Sequence, residues 1–307
     1  MATINKTTHD GYIWTKQDCP ICKIPPKQFL GTRGGRSHRE GLGVEAEIWA
    51  CEKCGLIFPN PMPFPENGLG QHYDLDADDY FQHHDKDEKI ENARSLVQKA
   101  EELLGRRGKI LDVGVGRGEI LLVAKERGWD VSGVEPSETF ADYAEKHTGA
   151  RIWRQPVEDA ELPDGEFDVI ILGAVLEHLY DPDKVIENIA RALKVGGLLY
   201  LDVPNERGLY FRIGNVYQKL RGRKWTVNLA PTFTPFHVIG FSPKSLRLLL
   251  SKYSLSPAAW TVYAGTSLVP SGRGIIGFVE SVASKLVTAL SSVGENGTYI
   301  ETWARKS

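Results

Sequence analysis

The stretch Ile110-Leu111-Asp112-Val113-Gly114-Val115-Gly116-Arg117-Gly118-Glu119 decides the fold, because an apolar run leads directly into three closely spaced glycines. The apolar run predicts a short buried strand over 109–113. Residues 118–127 have helical spacing and are followed by Gly128, which is a typical helix stop signal. The glycines allow positive φ and let a ligand approach the backbone before the helix begins. The stretch therefore predicts a strand, a ligand-binding turn and a helix.

The glycine spacing separates this turn from that of nicotinamide-dependent enzymes. Their Gly-x-Gly-x-x-Gly pattern would place the third glycine at position 119, where this chain has Glu119. The spacing Asp112-x-Gly114-x-Gly116-x-Gly118 suits a ligand that has no pyrophosphate. Glu135, at the end of the next predicted strand, is placed to accept hydrogen bonds from both hydroxyls of a ribose. The glycines alone would also fit a tight turn that binds nothing, and it is Glu135 that favours a ligand.

Strands and helices alternate from position 90 onward. Apolar runs predict the strands, and apolar residues at helical spacing predict the helices between them. The predicted strands are 109–113, 131–135, 167–172, 198–203, 258–263 and 298–304, and the predicted helices are 90–104, 118–127, 137–146, 185–193, 242–250 and 275–293. This alternation predicts an α/β fold with a doubly wound, mostly parallel sheet, in which ligands bind at the carboxyl ends of the strands.

All four cysteines lie near the amino terminus, in two Cys-x-x-Cys pairs formed by Cys19 with Cys22 and by Cys51 with Cys54. Turn-forming residues follow each pair, so the backbone can fold round an ion with thiolates about 2.3 Å from zinc. A module of residues 1–65, rich in Gly, Pro and Arg, cannot build an adequate core unaided. We therefore expect one structural, tetrahedral zinc site. Small buried side chains, or one redox pair beside an unrelated pair, are the alternatives.

The segment after Phe58 is predicted to be a stiff linker, because prolines 59, 61, 63 and 65 interrupt any helical or strand periodicity. The main domain is expected over residues 66–307. Near its start, the acidic and aromatic stretch 73–81 is interpreted as a solvated face. The alternative is that Tyr73, Tyr80 and Phe81 close over a ligand of the main domain.

Composition narrows the range of partners. The 307 residues include 37 basic and 40 acidic side chains, and the formal net charge of −3 gives no general reason to bind nucleic acid or an anionic membrane. No window resembles a signal peptide or a membrane-spanning helix. We expect a cytoplasmic protein that acts on a small molecule, with neither nucleic acid nor membrane as a partner.

Further motifs follow the glycine turn and Glu135. They are Glu158-Asp159-Ala160-Glu161-Leu162-Pro163, Phe167-Asp168-Val169-Ile170, Leu176-Glu177-His178-Leu179-Tyr180-Asp181-Pro182, Leu193-Lys194-Val195-Gly196-Gly197 and Val203-Pro204-Asn205. Together these motifs resemble those of the class I S-adenosylmethionine-dependent methyltransferases, over most of residues 70–307. The resemblance implies a Rossmann-like sheet of seven strands with the last one antiparallel. The zinc-ribbon-like module resembles those that precede this domain in some methyltransferases of sugar and secondary-metabolite pathways.

The same resemblance implies the residues that bind S-adenosylmethionine. They lie in the turn and at the strand ends, and are Asp112, Gly114, Gly116, Gly118, Glu135, Glu158, Asp159, Leu172 and Gly173. Within this set the glycines would face the methionine part of the cofactor. Glu135 would bind the ribose, and Glu158 or, as a second choice, Asp159 would reach the adenine amine. The last two residues of the set would line the sulfonium.

Two histidines are candidate bases. A base matters when the methyl acceptor is a hydroxyl, and it is indispensable when a carbon must first lose a proton. His178 follows the strand that ends at Leu172, and His237 precedes the predicted helix at 242; Glu177 is placed to orient either imidazole. The alternative for His178 is a hydrogen bond that merely holds the loop. Ubiquinone-pathway O-methyltransferases resemble this loop but carry a metal-associated Glu where this chain has Ala174, which argues against metal-assisted catalysis.

The connection 206–240 is predicted to be a lid that selects the substrate, because loops over strand ends are held by a rigid scaffold. It interleaves aromatic residues with basic ones, namely Arg212, Lys219, Arg221, Arg223 and Lys224. These could grip an anionic acceptor such as a nucleotide-linked sugar, or they could simply be solvated. We expect methyl transfer to an oxygen or carbon of a small molecule, such as a sugar. A non-catalytic binding protein and an RNA or protein methyltransferase are the alternatives.

Overall fold

The amino-terminal part of the chain forms two small antiparallel sheets in the computed structural model, which describes residues 6–9, 11–38, 40–69, 73, 86–230, 236–265, 290–291 and 294–307. Its strands are β1 (Lys6–His9), β2 (Tyr12–Thr15), β3 (Gln28–Arg33), β4 (Ala46–Ala50), β5 (Ile57–Pro59) and β6 (Met62–Pro65). One sheet has the order β1-β2-β6 and the other β3-β4-β5. One Cys-x-x-Cys pair lies between β2 and β3, and the other lies between β4 and β5.

The proline-rich segment is not a linker, and that prediction is wrong. Pro59 ends β5, while Pro63 and Pro65 lie in β6, which pairs with β2. Both strands occupy an edge of their three-stranded sheet. Proline is tolerated at such edges, because the missing N–H removes no hydrogen bond that a central strand would need.

A seven-stranded sheet forms the rest of the fold. Its strands are β7 (Lys109–Val113), β8 (Asp130–Val134), β9 (Arg151–Trp153), β10 (Phe167–Gly173), β11 (Leu193–Pro204), β12 (Leu255–Tyr263) and β13 (Tyr299–Lys306). The strand order is β12-β13-β11-β10-β7-β8-β9. Only β13 runs antiparallel to its neighbours. The predicted mostly parallel, Rossmann-like sheet with an antiparallel last strand is therefore confirmed.

Six α-helices connect and flank these strands in the described part of the chain. They are α1 (Lys86–Leu104), α2 (Glu119–Glu126), α3 (Glu138–Thr148), α4 (Pro182–Ala192), α5 (Leu209–Leu220) and α6 (Pro243–Lys252). Ser242 caps α6 by accepting a hydrogen bond from Ser245 N–H, as its Ser-Pro start predicts. Ser137 takes the cap position of α3 but makes no side-chain cap.

Side chains alternate between the two faces of the sheet and build a core on each. Leu111, Ile170 and Leu199 belong to one core, which also holds the apolar residues of α4 and α6. Their sequence neighbours Ile110 and Val169 belong to the other core, with residues of α1 and α2. Strand residues point to opposite faces in turn, so helices cover both faces, as in a doubly wound fold.

Three elements differ from the sequence prediction. Strand β9 and helix α5 were not predicted, and α5 lies inside the connection 206–240. Helix α4 ends at Ala192 rather than near Gly196, because β11 already pairs with β10 at Leu193. The predicted helix 275–293 lies outside the described residues, apart from 290 and 291. Across the described ranges no helix is both long and apolar enough to cross a bilayer.

The amino-terminal module packs directly on the seven-stranded domain. Its residues Ile21, Leu56 and Phe58 share one apolar core with α4 and α6. Ile57 and Gly240 exchange backbone hydrogen bonds of 2.9 and 2.7 Å, and Thr32 N–H donates to the carbonyl of Lys224 at 2.8 Å. These contacts place the carboxyl end of β3 beside the connection 206–240.

Candidate active site

The main cavity lies at the carboxyl ends of β7, β8 and β10, and its volume is about 630 Å³. Strands β7 and β10 are neighbours in the sheet, but the chain continues from them in opposite directions, to β8 and to β11. Open parallel sheets bind ligands at such a switch point, where the two connections leave a crevice. The cavity therefore occupies the place that the alternating pattern predicts for a ligand.

The glycine turn forms one wall of this cavity. Gly114 and Gly116 have φ of 76° and 54° and line it directly. The N–H groups of Gly116 and Ser137 each donate to one carboxylate oxygen of Glu135, both at 3.0 Å. Glu135 is only 6% exposed and also lines the cavity. The two backbone donors fix the carboxylate, and its further lone pairs can accept hydrogen bonds from ligand hydroxyls.

Two more carboxylates make the same wall acidic. Burial, together with Glu135 and Glu119, raises the pKa of Asp112 well above its usual value. Glu119 lines the cavity as the first residue of α2, and it accepts a hydrogen bond from Arg117 Nε at 2.7 Å. A cationic ligand group here would favour the charged form of Asp112. Sequence reasoning treated Glu119 only as a missing glycine and did not predict its place in the wall.

Glu158 presents an unsatisfied polar atom at the far end of the cavity. Its Oε1 accepts a hydrogen bond of 3.0 Å from the Tyr73 hydroxyl, which also lies 3.1 Å from the carbonyl oxygen of His178. Its Oε2 is buried without a hydrogen-bond partner among the described residues. Burial raises the pKa of Glu158. An amino group of a ligand would satisfy Oε2. Tyr73 lines the cavity, whereas Tyr80 and Phe81 lie outside the described residues.

Six of the nine predicted cofactor residues line the cavity, namely Asp112, Gly114, Gly116, Glu135, Glu158 and Gly173. The other three do not. Gly118 packs against α3, where an added Cβ would lie 3.2 Å from Ala144 Cβ. Leu172 is fully buried in the core on the α4 side of the sheet, and Asp159 is exposed. The turn motif and the strand alternation identify the region, but the direction of each side chain depends on packing.

The turn after β10 is constrained at Ala174. This residue has φ of 53°, which is unusual for a residue with a Cβ. Its N–H donates to the carbonyl of Asp202 at 3.1 Å, and both residues line the cavity. Its methyl group has no ligand atom, so the side chain at position 174 cannot bind a metal.

The two candidate bases are in contact. The rings of His178 and His237 have centroids 4.8 Å apart and are nearly perpendicular, at 77°. His178 Nδ1 lies 3.1 Å from the carbonyl oxygen of Phe236. A carbonyl can only accept, so this hydrogen bond places the proton on Nδ1 of the neutral ring and leaves Nε2 as the acceptor. His178 lines the main cavity, where an acceptor proton would be taken up.

Glu177 is positioned differently from its prediction. Its carboxylate lies within 4.8 Å of nitrogens on both imidazoles. No hydrogen bond joins it to either ring in the described structure, and its Oε2 is buried without a partner. Burial raises the pKa of Glu177 to about 8 and lowers that of His237 to about 3. Around neutral pH the acid is therefore protonated and His237 is uncharged, and it is Phe236 that orients His178.

A second cavity of about 260 Å³ lies on the His237 side of this ring pair. Strand β11 connects the two cavities, because Asp202 lines the first and Pro204 the second. Tyr210 and Phe211 of α5 form part of its wall with Tyr299 of β13. A small molecule could therefore reach the ring pair from the side opposite the main cavity.

The basic residues of the connection 206–240 do not line either cavity. Arg221 stacks over Tyr217 and Arg223 over Trp225, with guanidinium carbons 5.7 and 4.5 Å from the ring centroids. Arg212, Lys219 and Lys224 are exposed. The solvated alternative for these five residues therefore agrees with the structure, whereas the aromatic residues at the start of α5 do contribute to a cavity.

The four cysteines converge in one cluster. Their sulfur atoms all lie within 4.8 Å of one another, and Cys19, Cys51 and Cys54 are fully buried. The sulfurs of Cys19 and Cys54 are 3.7 Å apart, far longer than the about 2.05 Å of a disulfide. A tetrahedron with zinc–sulfur bonds of about 2.3 Å has edges of about 3.8 Å. The donor set and its spacing therefore fit zinc.

The two Cys-x-x-Cys turns have matching backbone geometry. In the first, Lys23 N–H donates to the carbonyl of Cys19, and in the second Gly55 N–H donates to that of Cys51, both at 2.8 Å. Lys23 and Gly55 have φ of 54° and 80°. A hydrogen bond from Cys54 lowers the pKa of Cys19 to about 6, whereas burial raises that of Cys22 to about 11 and the hydrogen bond with Cys19 raises that of Cys54. One thiol of the cluster therefore ionises readily, and a bound metal ion would deprotonate the others.

Comparison with known proteins adds an independent result. Residues 81–257, more than half of the chain, match a family described as a methyltransferase domain. The chain belongs to this family. The methyltransferase is similar to ubiquinone biosynthesis O-methyltransferases of Dechloromonas aromatica (28% identity over 167 residues, 52% of this chain and 69% of the relative) and Idiomarina loihiensis (31% over 142 residues, 44% and 51%). It thus spans about half to two thirds of the length of these relatives.

Among solved structures, the methyltransferase matches an S-adenosylmethionine-dependent methyltransferase from Archaeoglobus fulgidus with a TM-score of 0.49 and 18% identity, over 71% of this chain and 94% of that one. The protein is an S-adenosylmethionine-dependent methyltransferase. The main cavity suits this cofactor, because the unpartnered oxygen of Glu158 matches an adenine amine and the acidic wall at Asp112 matches its cationic groups.

Proposed function

We propose that this methyltransferase methylates a hydroxyl oxygen of a small molecule, such as a sugar or a nucleotide-linked sugar. The observation that carries the proposal is the His178–His237 ring contact, which separates the cofactor-sized cavity from the smaller one. The names of the ubiquinone O-methyltransferase relatives also favour oxygen as the acceptor atom. A carbon acceptor is the second candidate, since it would need the same base.

The cofactor would lie in the main cavity. Its methionine part would lie beside Gly114 and Gly116, which line the cavity, while Glu135 would accept the ribose hydroxyls and Glu158 the adenine amine. When bound, S-adenosylmethionine supplies an activated methyl group at its sulfonium. Gly173, at the end of β10, lies at the cavity surface where the methyl group is expected.

His178 would act as the base. Its Nε2 takes the acceptor proton while Nδ1 stays bound to the carbonyl of Phe236. The activated methyl group of the bound cofactor would be transferred to the acceptor oxygen, with S-adenosylhomocysteine as the second product. The half-buried rings would help to exclude water and to hold the acceptor near the reacting carbon, which is the main contribution to such a displacement. A neutral His237 packs against His178 without competing for its proton.

The four cysteines would hold one structural zinc ion. Four thiolates close the coordination sphere, so the ion has no position for a substrate. Its role is to fold the module that supplies β3. Thiols that stay reduced suit a reducing compartment, which supports a cytoplasmic location.

The decisive experiment is transfer of a labelled methyl group from S-adenosylmethionine to a panel of hydroxylated small molecules. Mass spectrometry of the product locates the new methyl group. We expect an O-methylated product and stoichiometric S-adenosylhomocysteine. Binding of the cofactor without product from any acceptor would favour the non-catalytic alternative. Product only with RNA or protein would favour that class, and salt-sensitive RNA binding is its rapid check.

A further inference from the structure

The 260 Å³ cavity beside His237 contains a charged residue from outside the catalytic domain. Arg33, the last residue of β3, lines it together with Tyr210, Phe211, His237, Ser291 and Tyr299. Arg33 reaches this position because β3 pairs with the backbone of the connection 206–240 at Thr32. The amino-terminal module therefore supplies part of the wall.

The guanidinium of Arg33 is held on one side only. Its Nε donates to the carbonyl of Leu229 at 3.2 Å. In the described ranges no carboxylate forms an ion pair with it, whereas Arg36, three residues on, pairs with Glu45 at 3.0 Å. Burial lowers the pKa of Arg33, yet an arginine stays charged in proteins. Arg33 is thus a half-buried cation without a carboxylate in direct contact.

Glu206 lines the same cavity, and its carboxylate is already bound. Its Oε2 accepts a hydrogen bond of 2.8 Å from Asn228 Nδ2, and both oxygens lie within 3.3 Å of Leu229 N. Burial raises the pKa of Glu206 to about 7, so it carries only part of a charge at neutral pH. Glu206 therefore holds the connection in place but does not neutralise Arg33 fully.

A second polar group in the same cavity also lacks a partner. The side chain of Ser291 is 2% exposed, and its hydroxyl has no hydrogen-bond partner in the part of the chain that the structure describes. Buried hydroxyls are normally hydrogen-bonded. Arg33 and Ser291 thus offer hydrogen-bond donors to one cavity, whose remaining walls include aromatic rings.

We propose that this cavity binds the methyl acceptor and that Arg33 pairs with an anionic group on it, a phosphate or a carboxylate. The inference rests on the proposed function and deepens it by naming the substrate class. The terminal nitrogens of a guanidinium match both oxyanions in a bidentate geometry. The aromatic residues Tyr210 and Tyr299 cover the uncharged part of the acceptor, and its hydroxyl points past His237 toward His178. The module thereby contributes to substrate choice as well as to folding.

The test uses simple anions on the 307-residue chain saturated with S-adenosylhomocysteine. Inorganic pyrophosphate is the phosphate probe and benzoate the carboxylate probe, and binding is followed by the thermal unfolding midpoint at constant ionic strength. We expect saturable stabilisation by at least one probe, and the stronger probe identifies the group. Arg33→Gln should weaken this binding by about 10-fold or more, as expected for a charge-assisted hydrogen bond. Arg33→Lys should retain an intermediate affinity.

Arg36→Gln is the matched control, since Arg36 lies in the same module but its side chain is 93% exposed. It should bind the probes like the wild type. Ser291→Ala is a second cavity variant that leaves Arg33 in place, and it should weaken the same probe by a smaller factor. Zinc content and the midpoint without ligand verify that each variant is folded.

Two results would overturn the inference: equal probe affinity in Arg33→Gln and the wild type, or no saturable stabilisation of the wild type by either probe. Calorimetric binding of S-adenosylhomocysteine separates this failure from that of the proposed function. If the cofactor product binds and methyl transfer proceeds while Arg33→Gln is unchanged, only the role of Arg33 fails. If the wild type transfers no methyl group, the proposed function fails.

Discussion

The two cavities share the carboxyl edge of one sheet but are assembled in different ways. The main cavity is built chiefly from the turns after β7, β8 and β10, so most of its wall follows a strand within a few residues, and Tyr73 and α1 complete it. The smaller cavity combines β3, α5, β13 and the segment around His237. The first is built mostly from strand ends of one sheet and the second is not, and the His178–His237 contact lies between them.

This difference indicates a division of roles, in which the main cavity binds the methyl donor and the smaller cavity selects the acceptor. The main cavity depends on backbone geometry at Gly114 and Gly116, which follows from the parallel sheet itself. The smaller cavity depends on the amino-terminal module being folded and docked, because Arg33 reaches it only through β3. Perturbing the module should therefore affect the acceptor side more strongly than the cofactor side.

Loss of the zinc site should have the largest effect. Zinc binding is worth about 10–16 kcal/mol in small zinc-finger peptides, and here Cys51 belongs to the core shared with α4 and α6. We expect Cys51→Ser to lower metal content from about one equivalent to well below that, and to lower the unfolding midpoint sharply. Probe binding at Arg33 should be lost before S-adenosylhomocysteine binding. Metal analysis and calorimetry measure both.

A module that stays folded without zinc would contradict the expected dependence of the smaller cavity on the ion. If metal-free protein kept its unfolding midpoint and its probe affinity, the module would not depend on the ion. If the protein showed an iron–sulfur absorption spectrum, the metal at the four cysteines would be assigned as iron instead of zinc. Restoration by added zinc after chelation is the positive control.

The second-largest effect is expected for His178, which lies between the two cavities. His178→Ala should lower turnover by about 10²- to 10⁴-fold, the usual contribution of a positioned base. Affinity for S-adenosylhomocysteine should change little, because the cofactor contacts at Glu135 and Glu158 stay in place. Single-turnover methyl transfer and calorimetry separate the two effects.

His147→Ala is the control for that variant, since His147 is exposed on α3. His237→Ala should lower turnover less, because its ring contacts His178 but lines only the acceptor side. Unchanged turnover in both active-site variants would remove the base assignment and leave positioning as the whole of catalysis.

Glu135→Gln should have the opposite effect: it should weaken binding of S-adenosylhomocysteine and leave binding at the smaller cavity unchanged. A hydrogen bond to a charged group contributes about 1.5–3 kcal/mol, so affinity for S-adenosylhomocysteine should fall about 10- to 100-fold. The response to anion probes should not change, because Glu135 does not line the smaller cavity. Asp159→Asn is the matched control, since Asp159 is exposed outside both cavities. Equal losses in the two variants would contradict the role of Glu135.

The sequence predicts the main cavity better than the smaller one, for a physical reason. The alternation of strands and helices and the Asp112–Gly118 turn are local patterns, so they predicted the sheet and the position of the main cavity. Gly118 and Leu172 do not line this cavity, because the first packs against α3 and the second lies in the core. Arg33 carries no local signal: it lies on a short strand of the module and becomes relevant only when Thr32 pairs with the connection 206–240. Glu206 and Ser291 were missed for the same reason.

The smallest effect concerns Glu177, whose neutral carboxyl lies beside both rings. Burial raises its pKa to about 8 from a usual 4.5. Between these values the folded protein holds a proton that the unfolded chain lacks, so the free energy of unfolding falls as pH rises from about 5 to 8. Glu177→Gln mimics the protonated acid and removes this titration. We expect the free energy of unfolding of the wild type, relative to that of Glu177→Gln, to fall by about 3 kcal/mol between pH 5.5 and pH 8.5.

Denaturant unfolding at the two pH values measures this difference, and Glu187→Gln, at an exposed position of α4, is the control. An unchanged pH slope in Glu177→Gln would mean that Glu177 is ionised in the folded protein. A charged carboxylate this close would favour the protonated form of either imidazole. His178 could then serve less well as a base at neutral pH. The proposed role of His178 therefore requires a neutral Glu177, because a neutral carboxyl leaves both imidazoles uncharged until one of them takes the acceptor proton.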